Sequence, residues 1–174
     1  MIKKIFLYGT AFGSLSASMV LINFFNQLYM QRTFLSAVPV LGNVVILGLG
    51  VYLFIKSIMA LPMKKPLSLG KTLIGSLSMA LISALFNIGA YQHVQFNRTE
   101  VFQHYRDASV KNMETKINKE DLSPEKKKET ILEHTKSIEE NIHWGMWARV
   151  EIYMFLSIAL VMTLLVYIAN QKKA

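Results

Sequence analysis

The 174-residue chain contains no cysteine. That absence excludes disulfides, Cys-ligated zinc, iron–sulfur clusters, a lipoprotein anchor and thiol catalysis. Acidic residues are missing from most of the chain, because all eleven fall between Glu100 and Glu151. Charge of either sign is missing from four long blocks, Ile5–Gln31, Thr33–Ile55, Thr72–Asn97 and Ile152–Gln171, of 27, 23, 26 and 20 residues. A helix needs about 20 apolar residues to cross the hydrocarbon core of a bilayer, so each block is long enough. Soluble helices carry a polar face, and these blocks show none. The pattern therefore predicts an all-α integral membrane four-helix bundle, in a single domain over 1–174, with spans at about 5–29, 36–56, 70–92 and 148–169.

A net charge of +8 suggests nucleic acid at first sight, but its distribution points to membrane orientation. Outside residues 92–151 there are nine basic residues and no acidic ones: Lys3, Lys4, Arg32, Lys56, Lys64, Lys65, Lys71, Lys172 and Lys173. Lys and Arg collect at the cytoplasmic ends of membrane helices. With both termini inside, every one of these except Arg32 lies on the cytoplasmic side. Residues 92–151, nearly neutral with ten basic and eleven acidic residues, then lie outside. The opening MIKKIFLYGTAFGSLSASMV resembles a signal peptide with a small-residue cleavage site. The apolar run continues through VLINFFNQLYM, and this favours a retained first span.

The outer segment, about 93–147, has the periodicity of two amphipathic helices. In the first arm Phe102, Tyr105, Val110, Met113 and Ile117 recur at three-to-four-residue intervals over much of its length. The second begins at SPEKK, where Ser123 suits the N-cap, Pro124 the first helical position and Glu125 the positive end of the dipole. Ile131, Thr135, Ile138, Ile142 and Gly145 then follow a four-three-four-three spacing, the seam of a coiled-coil-like pair. The expectation is a long extracytoplasmic antiparallel helical hairpin between spans 3 and 4. Each arm runs into its span as one long helix or across a slight kink. At about 1.5 Å per residue, an arm of about 22 residues stands roughly 30 Å off the membrane.

Candidate functional residues are few. Transport sites and proton relays usually place ionisable groups inside the bilayer, and no central Asp, Glu, Lys, Arg or His occurs in the four spans. No catalytic residue and no cofactor are expected. Gly9, Gly13 and Ala17 form a small-residue stripe at four-residue spacing, and Ser76, Ala80 and Ala84 form another, with Asn87 alongside. Such stripes serve close helix packing, either within the bundle or against a second copy or partner. Tyr91, Trp144, Trp147 and Arg149 are placed as membrane-interface anchors. Arg149 and Glu151 lie one turn deeper, at the boundary, where they pair or meet lipid headgroups. His93, His104, His134 and His143 all fall in the outer segment and are weak candidates for a metal bridge between the arms. In the inner connection LPMKKPLSLGKTLIG, Pro62 and Pro66 end the second helix and Ser68 is a candidate cap. The sequon NRT at Asn97 matters only in a eukaryotic secretory pathway.

The four-span layout, the entry KPLSLGKTLIGSLSMALISALF into the third span and the long charged segment before the last span resemble the bacterial membrane proteins of domain-of-unknown-function family 4199. Leu69, Gly70, Lys71 and Gly75 supply the glycine-opened third span, without the acidic residue that members often carry there. That resemblance implies the inner membrane of a Gram-negative cell, mainly of Bacteroidota, with the hairpin in the periplasm and no catalytic residues to carry over.

The reading that follows is a non-enzymatic structural or interaction subunit whose hairpin and small-residue faces bind a protein partner or a second copy in the bilayer, with no nucleic acid. A small oligomeric transporter or channel, lined by Ser14, Asn23, Asn43, Ser83 and Asn87, is the alternative from another class. An accessory protein of membrane lipid or glycan synthesis, using Glu151, Arg149 and the histidines, is the third. The topology predicts that a reporter fused near residue 121 becomes active only when it is functional in the periplasm, and activity of a cytosol-only reporter there contradicts it.

Overall fold

In the computed structural model, residues 1–26, 38–60 and 68–171 are described. Arg32, Pro62, Lys64, Lys65, Pro66, Lys172 and Lys173 lie outside them, as does the side chain of Trp144. Six helices follow in order: α1 Ile2–Phe25, α2 Val38–Met59, α3 Leu69–Asn97, α4 Thr99–Ile117, α5 Pro124–Asn141 and α6 Trp144–Gln171. No strand occurs among the described residues. Among the described residues four helices are long and apolar enough to cross a membrane: Ile2–Phe25, Val40–Met59, Leu69–Asn97 and Gly145–Asn170.

Small residues decide how closely these four approach. Along α1 the buried positions are Ile5, Gly9, Gly13, Ser16, Val20 and Phe24, a three-to-four-residue stripe. A Cβ on Gly9 would lie 2.8 Å from the Ile82 side chain, and one on Gly13 would lie 2.9 Å from Ser83 Cα. Only hydrogen fits there, so α1 and α3 meet backbone to backbone. The Ser83 hydroxyl uses that proximity to donate to the Gly9 carbonyl at 3.1 Å. Gly75 of α3 likewise receives the Phe54 ring of α2, and Gly50 of α2 the Phe12 ring of α1. Leu47, Val51, Phe54, Ile55, Ile58, Met79, Ala80, Ala84, Phe155 and Ala159 fill the core where α2, α3 and α6 converge. The outward faces remain apolar, with Phe6, Leu7, Val45, Leu85 and Val161 all exposed.

The sequence-predicted small-residue set is thus consumed inside the chain. Gly9, Gly13, Ser76, Ala80, Ala84 and Asn87 are buried, and Ala17 packs half-buried against the cluster around Phe24. Ser68 caps α3, accepting from Lys71 N at 3.4 Å. Ser123 caps α5 in the same way, accepting from Lys126 N at 3.4 Å, with Pro124 in the first turn.

Neither arm is continuous with its span. α3 runs on to Asn97 and stops at Arg98, whose φ of −137° and ψ of 52° leave the helical region. α5 stops at Asn141, where Ile142 adopts φ −80° and ψ 91°. Of the two arrangements open to the sequence, a single rod and a kinked pair, the second is the one observed. α4 and α5 pack on each other. Ile131, Thr135 and Ile138 of α5 are half-buried, as are Lys127, Thr130 and the capping Ile142 just beyond the helix, while Leu132, beside them in sequence, is 72% exposed. At one end of the pair the Lys127 ammonium donates to the Asn118 carbonyl at 3.0 Å. At the other, Arg106 of α4 donates to the Ile142 carbonyl at 2.7 Å through Nη2 and 3.2 Å through Nε, and to the Glu139 carbonyl at 3.0 Å. These are the orphan carbonyls at the α5 C-terminus, the end where a cation is also favoured by the helix dipole.

Gly13→Leu is expected to force α1 off α3 and to lower stability in detergent by about 1–3 kcal/mol, read as a fall in thermal midpoint. Gly70→Leu is the control, since nothing lies within 4 Å of a Cβ built there.

Candidate functional site

The buried face of α6 reads Trp147, Ala148, Glu151, Phe155, Ala159, Thr163 and Val166. That spacing of three and four keeps one face of a helix turned to its neighbours. Glu151 is on this face, one turn from Trp147 and one from Phe155, and is only 5% exposed. Arg149, two residues away, is exposed. Residues two apart on a helix do not face each other, so the expected Arg149–Glu151 pair does not form. Headgroup contact is open to Arg149 and closed to Glu151.

Instead Glu151 meets α3. Asn87 and Tyr91, four residues apart and so on the same face, reach it together. Asn87 Nδ2 donates to Glu151 Oε2 at 3.1 Å, and the Tyr91 hydroxyl donates to Oε1 at 2.9 Å. Each carboxylate oxygen therefore holds one donor. No salt bridge among the described residues reaches Glu151. Such a group is retained in an apolar bundle only where neighbouring polar groups satisfy it, because an unpaired buried charge is costly.

Directly beside this contact stands a collar of aromatic rings centred on Trp147. Its ring lies 4.7 Å from Tyr91, 5.3 Å from Tyr105, 5.4 Å from Phe102 and 5.4 Å from Phe24, centroid to centroid. Phe24 also meets Tyr91 at 6.1 Å and Tyr105 at 5.5 Å. The rings come from α1, α3, α4 and α6, so the collar fastens α4 to the apolar helices. Several of these pairs are edge-on or tilted, geometries that add to area burial. Burial in the collar pushes the Tyr105 phenol above its ordinary pKa. Trp147, expected as a membrane-interface anchor, is 9% exposed and spends its ring inside the protein; Tyr91 is half-buried and committed to Glu151.

The four histidines do not converge. Among the described residues no group of three or more His, Asp or Glu could hold a metal ion. His93 pairs with Asn97 on its own helix at 3.2 Å, and His104 and His134 are exposed. His143 acts locally, its Nδ1 accepting from Gly145 N at 3.0 Å across the start of α6. Nor do the sequence-predicted pore residues share a surface. Ser14 faces outward, Asn43 accepts from Ser16 at 2.9 Å, Ser83 bonds to Gly9, and Asn87 serves Glu151. Asn23 on α1 is half-buried with its Oδ1 unpartnered.

Glu151 was singled out from sequence but placed at the membrane boundary; its phase with Trp147 and Phe155 is the signal that puts it on the buried face. Arg106 was missed and carried no signal, because its role depends on where α5 ends.

Tyr91→Phe removes one donor from a buried carboxylate oxygen and is expected to cost about 1–3 kcal/mol. Trp147→Ala empties the collar and is expected to cost about 3–5 kcal/mol. Thermal unfolding in mild detergent measures both, and Trp147→Ala should additionally make the Arg98 and Ile142 junctions sensitive to limited proteolysis. Comparison with protein-family models, with curated proteins and with solved structures finds no match, so the resemblance to family 4199 rests on the layout of the sequence.

Proposed function

We propose that the chain is a non-enzymatic protein of a bacterial inner membrane whose outer helix pair, α4 and α5, is a docking arm for a protein partner or a second copy. The observation that carries this reading is how the pair is held. A helical hairpin that only tethered two spans would need no fixed attitude. Here the aromatic collar fastens the base of α4 to the bundle, and Arg106 clamps the α5 terminus at the same end. The Arg106 guanidinium is further braced 5.0 Å over the Phe102 ring. Two contacts against rigid elements make the arm a presented surface with a defined orientation, which lowers the entropic cost of binding.

The arm's outward face is suited to an aqueous partner. Lys126, Lys128, Glu129, Leu132, Glu133, Lys136 and Glu140 are all exposed along α5, with signs mixed and Leu132 as the apolar centre. The Gly9–Gly13 face is already filled by α3, so the docking role falls to α5 rather than to the small-residue stripe. Periplasmic placement rests on the Lys and Arg bias of the other segments. The transporter reading is weakened because Ser14, Asn43 and Ser83 line no shared surface.

A photo-crosslinking amino acid at position 132 should capture one discrete species in intact cells, either a defined partner or a dimer, that native mass spectrometry in mild detergent also finds. The same amino acid at lipid-facing Leu85 should not capture it. A monomer with no adduct at position 132 contradicts the proposal.

A further inference from the structure

Glu151 is satisfied from inside the chain, whereas Arg149, two residues before it, is not. All eleven acidic residues lie between Glu100 and Glu151, and every one is among the described residues. The one ion pair there joins Lys136 to Glu140 on α5. No carboxylate of the chain therefore compensates the Arg149 guanidinium. One turn along the same face, Tyr153 is 72% exposed. Among the described residues neither side chain has a hydrogen-bond partner. Side chains of a helix lean toward its N-terminus, and residues four apart stand one above the other. The Tyr153 ring therefore rises toward Arg149, and two unmatched donor groups share one outward patch.

The patch lies at lipid depth. Tyr91 stands opposite Trp147 and Asn87 opposite Glu151, which sets the antiparallel register of α3 against α6. In that register the exposed Phe96 of α3 lies seven residues farther out than Arg149, about 10 Å at the rise of a helix. Phe25, next to the Phe24 that meets Tyr91, is also exposed. Apolar surface thus reaches outward beyond the cation. On its other side Val150, Leu160, Val161 and Leu164 continue the exposed face of α6. Charge facing lipid is costly until an opposite charge meets it. The guanidinium offers donors and no acceptor, in a planar fork that fits phosphate oxygens two at a time. A ligand with a phosphate at one end and an acyl chain at the other matches both the donors and the apolar stripe beneath them.

We propose that Arg149 and Tyr153 form a binding site for one anionic phospholipid at the outer end of α6. The Arg149 guanidinium donates two hydrogen bonds to the phosphate oxygens, the Tyr153 hydroxyl donates a third, and an acyl chain lies along Val161 and Leu164. A zwitterionic headgroup is held less well, since its own ammonium already neutralises the phosphate. Glu151 takes no part, because it is turned to Asn87 and Tyr91 on the other side of the helix. The site is independent of the docking arm, since neither residue belongs to α4, α5 or the aromatic collar.

Native mass spectrometry of the full-length protein, stripped of lipid in mild detergent, compares phosphatidylglycerol, phosphatidylcholine and diacylglycerol of one chain length with inorganic phosphate. Phosphatidylglycerol should give one discrete adduct per chain at the lowest concentration. Phosphatidylcholine should bind more weakly, and diacylglycerol and phosphate should leave no adduct there. In Arg149→Gln the phosphatidylglycerol adduct should need on the order of tenfold more lipid, as the loss of a hydrogen bond to a charged group implies. Tyr153→Phe should weaken it less, and Lys136→Gln, which removes an exposed cation elsewhere, should leave it unchanged. Any of the other three ligands binding as tightly as phosphatidylglycerol overturns the proposal without need of a variant. An unshifted titration in Arg149→Gln, or an equal shift in Lys136→Gln, overturns it too. So does a protein that co-purifies with the wild type and is lost in Arg149→Gln while no lipid adduct forms.

Discussion

Hydrocarbon offers no hydrogen bonds, and that constraint organises the whole molecule. Every polar group in the four apolar helices has to be met from inside the chain or left in want. Ser16 answers Asn43, Ser83 answers the Gly9 carbonyl, Ser76 answers the Thr72 carbonyl, and Thr163 answers that of Ala159. Gly9 and Gly13 are the condition for one of these, because Ser83 reaches the α1 backbone only while nothing larger than hydrogen intervenes. Close packing and polar satisfaction are therefore one property here. Apolar residues that face outward need no such partner, which is why Leu85 and Val161 can be displayed.

Glu151 is where the constraint bites hardest. A carboxyl group enclosed by α3 and α6 is tolerated because Asn87 and Tyr91 each give it a hydrogen bond. Tyr91 then links that polar contact to the aromatic collar, through a ring lying 4.7 Å from that of Trp147. The collar in turn holds Phe102 and Tyr105 of α4. The buried carboxyl and the attitude of α4 thus share a set of side chains spanning four helices.

Much of this was legible in the residues. Charge-free blocks of 20 to 27 residues mark the apolar helices because lipid leaves no room for another composition. Ser123–Pro124 marks the start of α5 because capping is local chemistry, and the half-buried Ile131, Thr135 and Ile138 recur at helical period, whereas Ile142 lies beyond the helix end. What failed depended on partners distant in sequence. Trp147 looks like an interface anchor until Phe24, Phe102 and Tyr105 are brought around it from positions 123, 45 and 42 residues away. Glu151 looks like a boundary residue because hydropathy counts charge without asking which way it faces. The breaks at Arg98 and Ile142 realise the kinked alternative that the sequence left open, but periodicity alone does not place them.

The absence of native cysteine makes one measurement unusually direct: single-cysteine spin labels placed one at a time, reconstituted in bilayers, and read for access to oxygen and to a water-soluble relaxation agent. Labels at Leu85 and Val161 are predicted to meet oxygen and not the aqueous agent. Labels at Ala84 and Ala159 should meet neither, and a label at Leu132 should meet the aqueous agent. Aqueous access at Leu85 and Val161, or lipid-like access at Ala84 and Ala159 equal to theirs, would contradict an arrangement in which α3 and α6 turn one face to hydrocarbon and bury the other, Glu151 included.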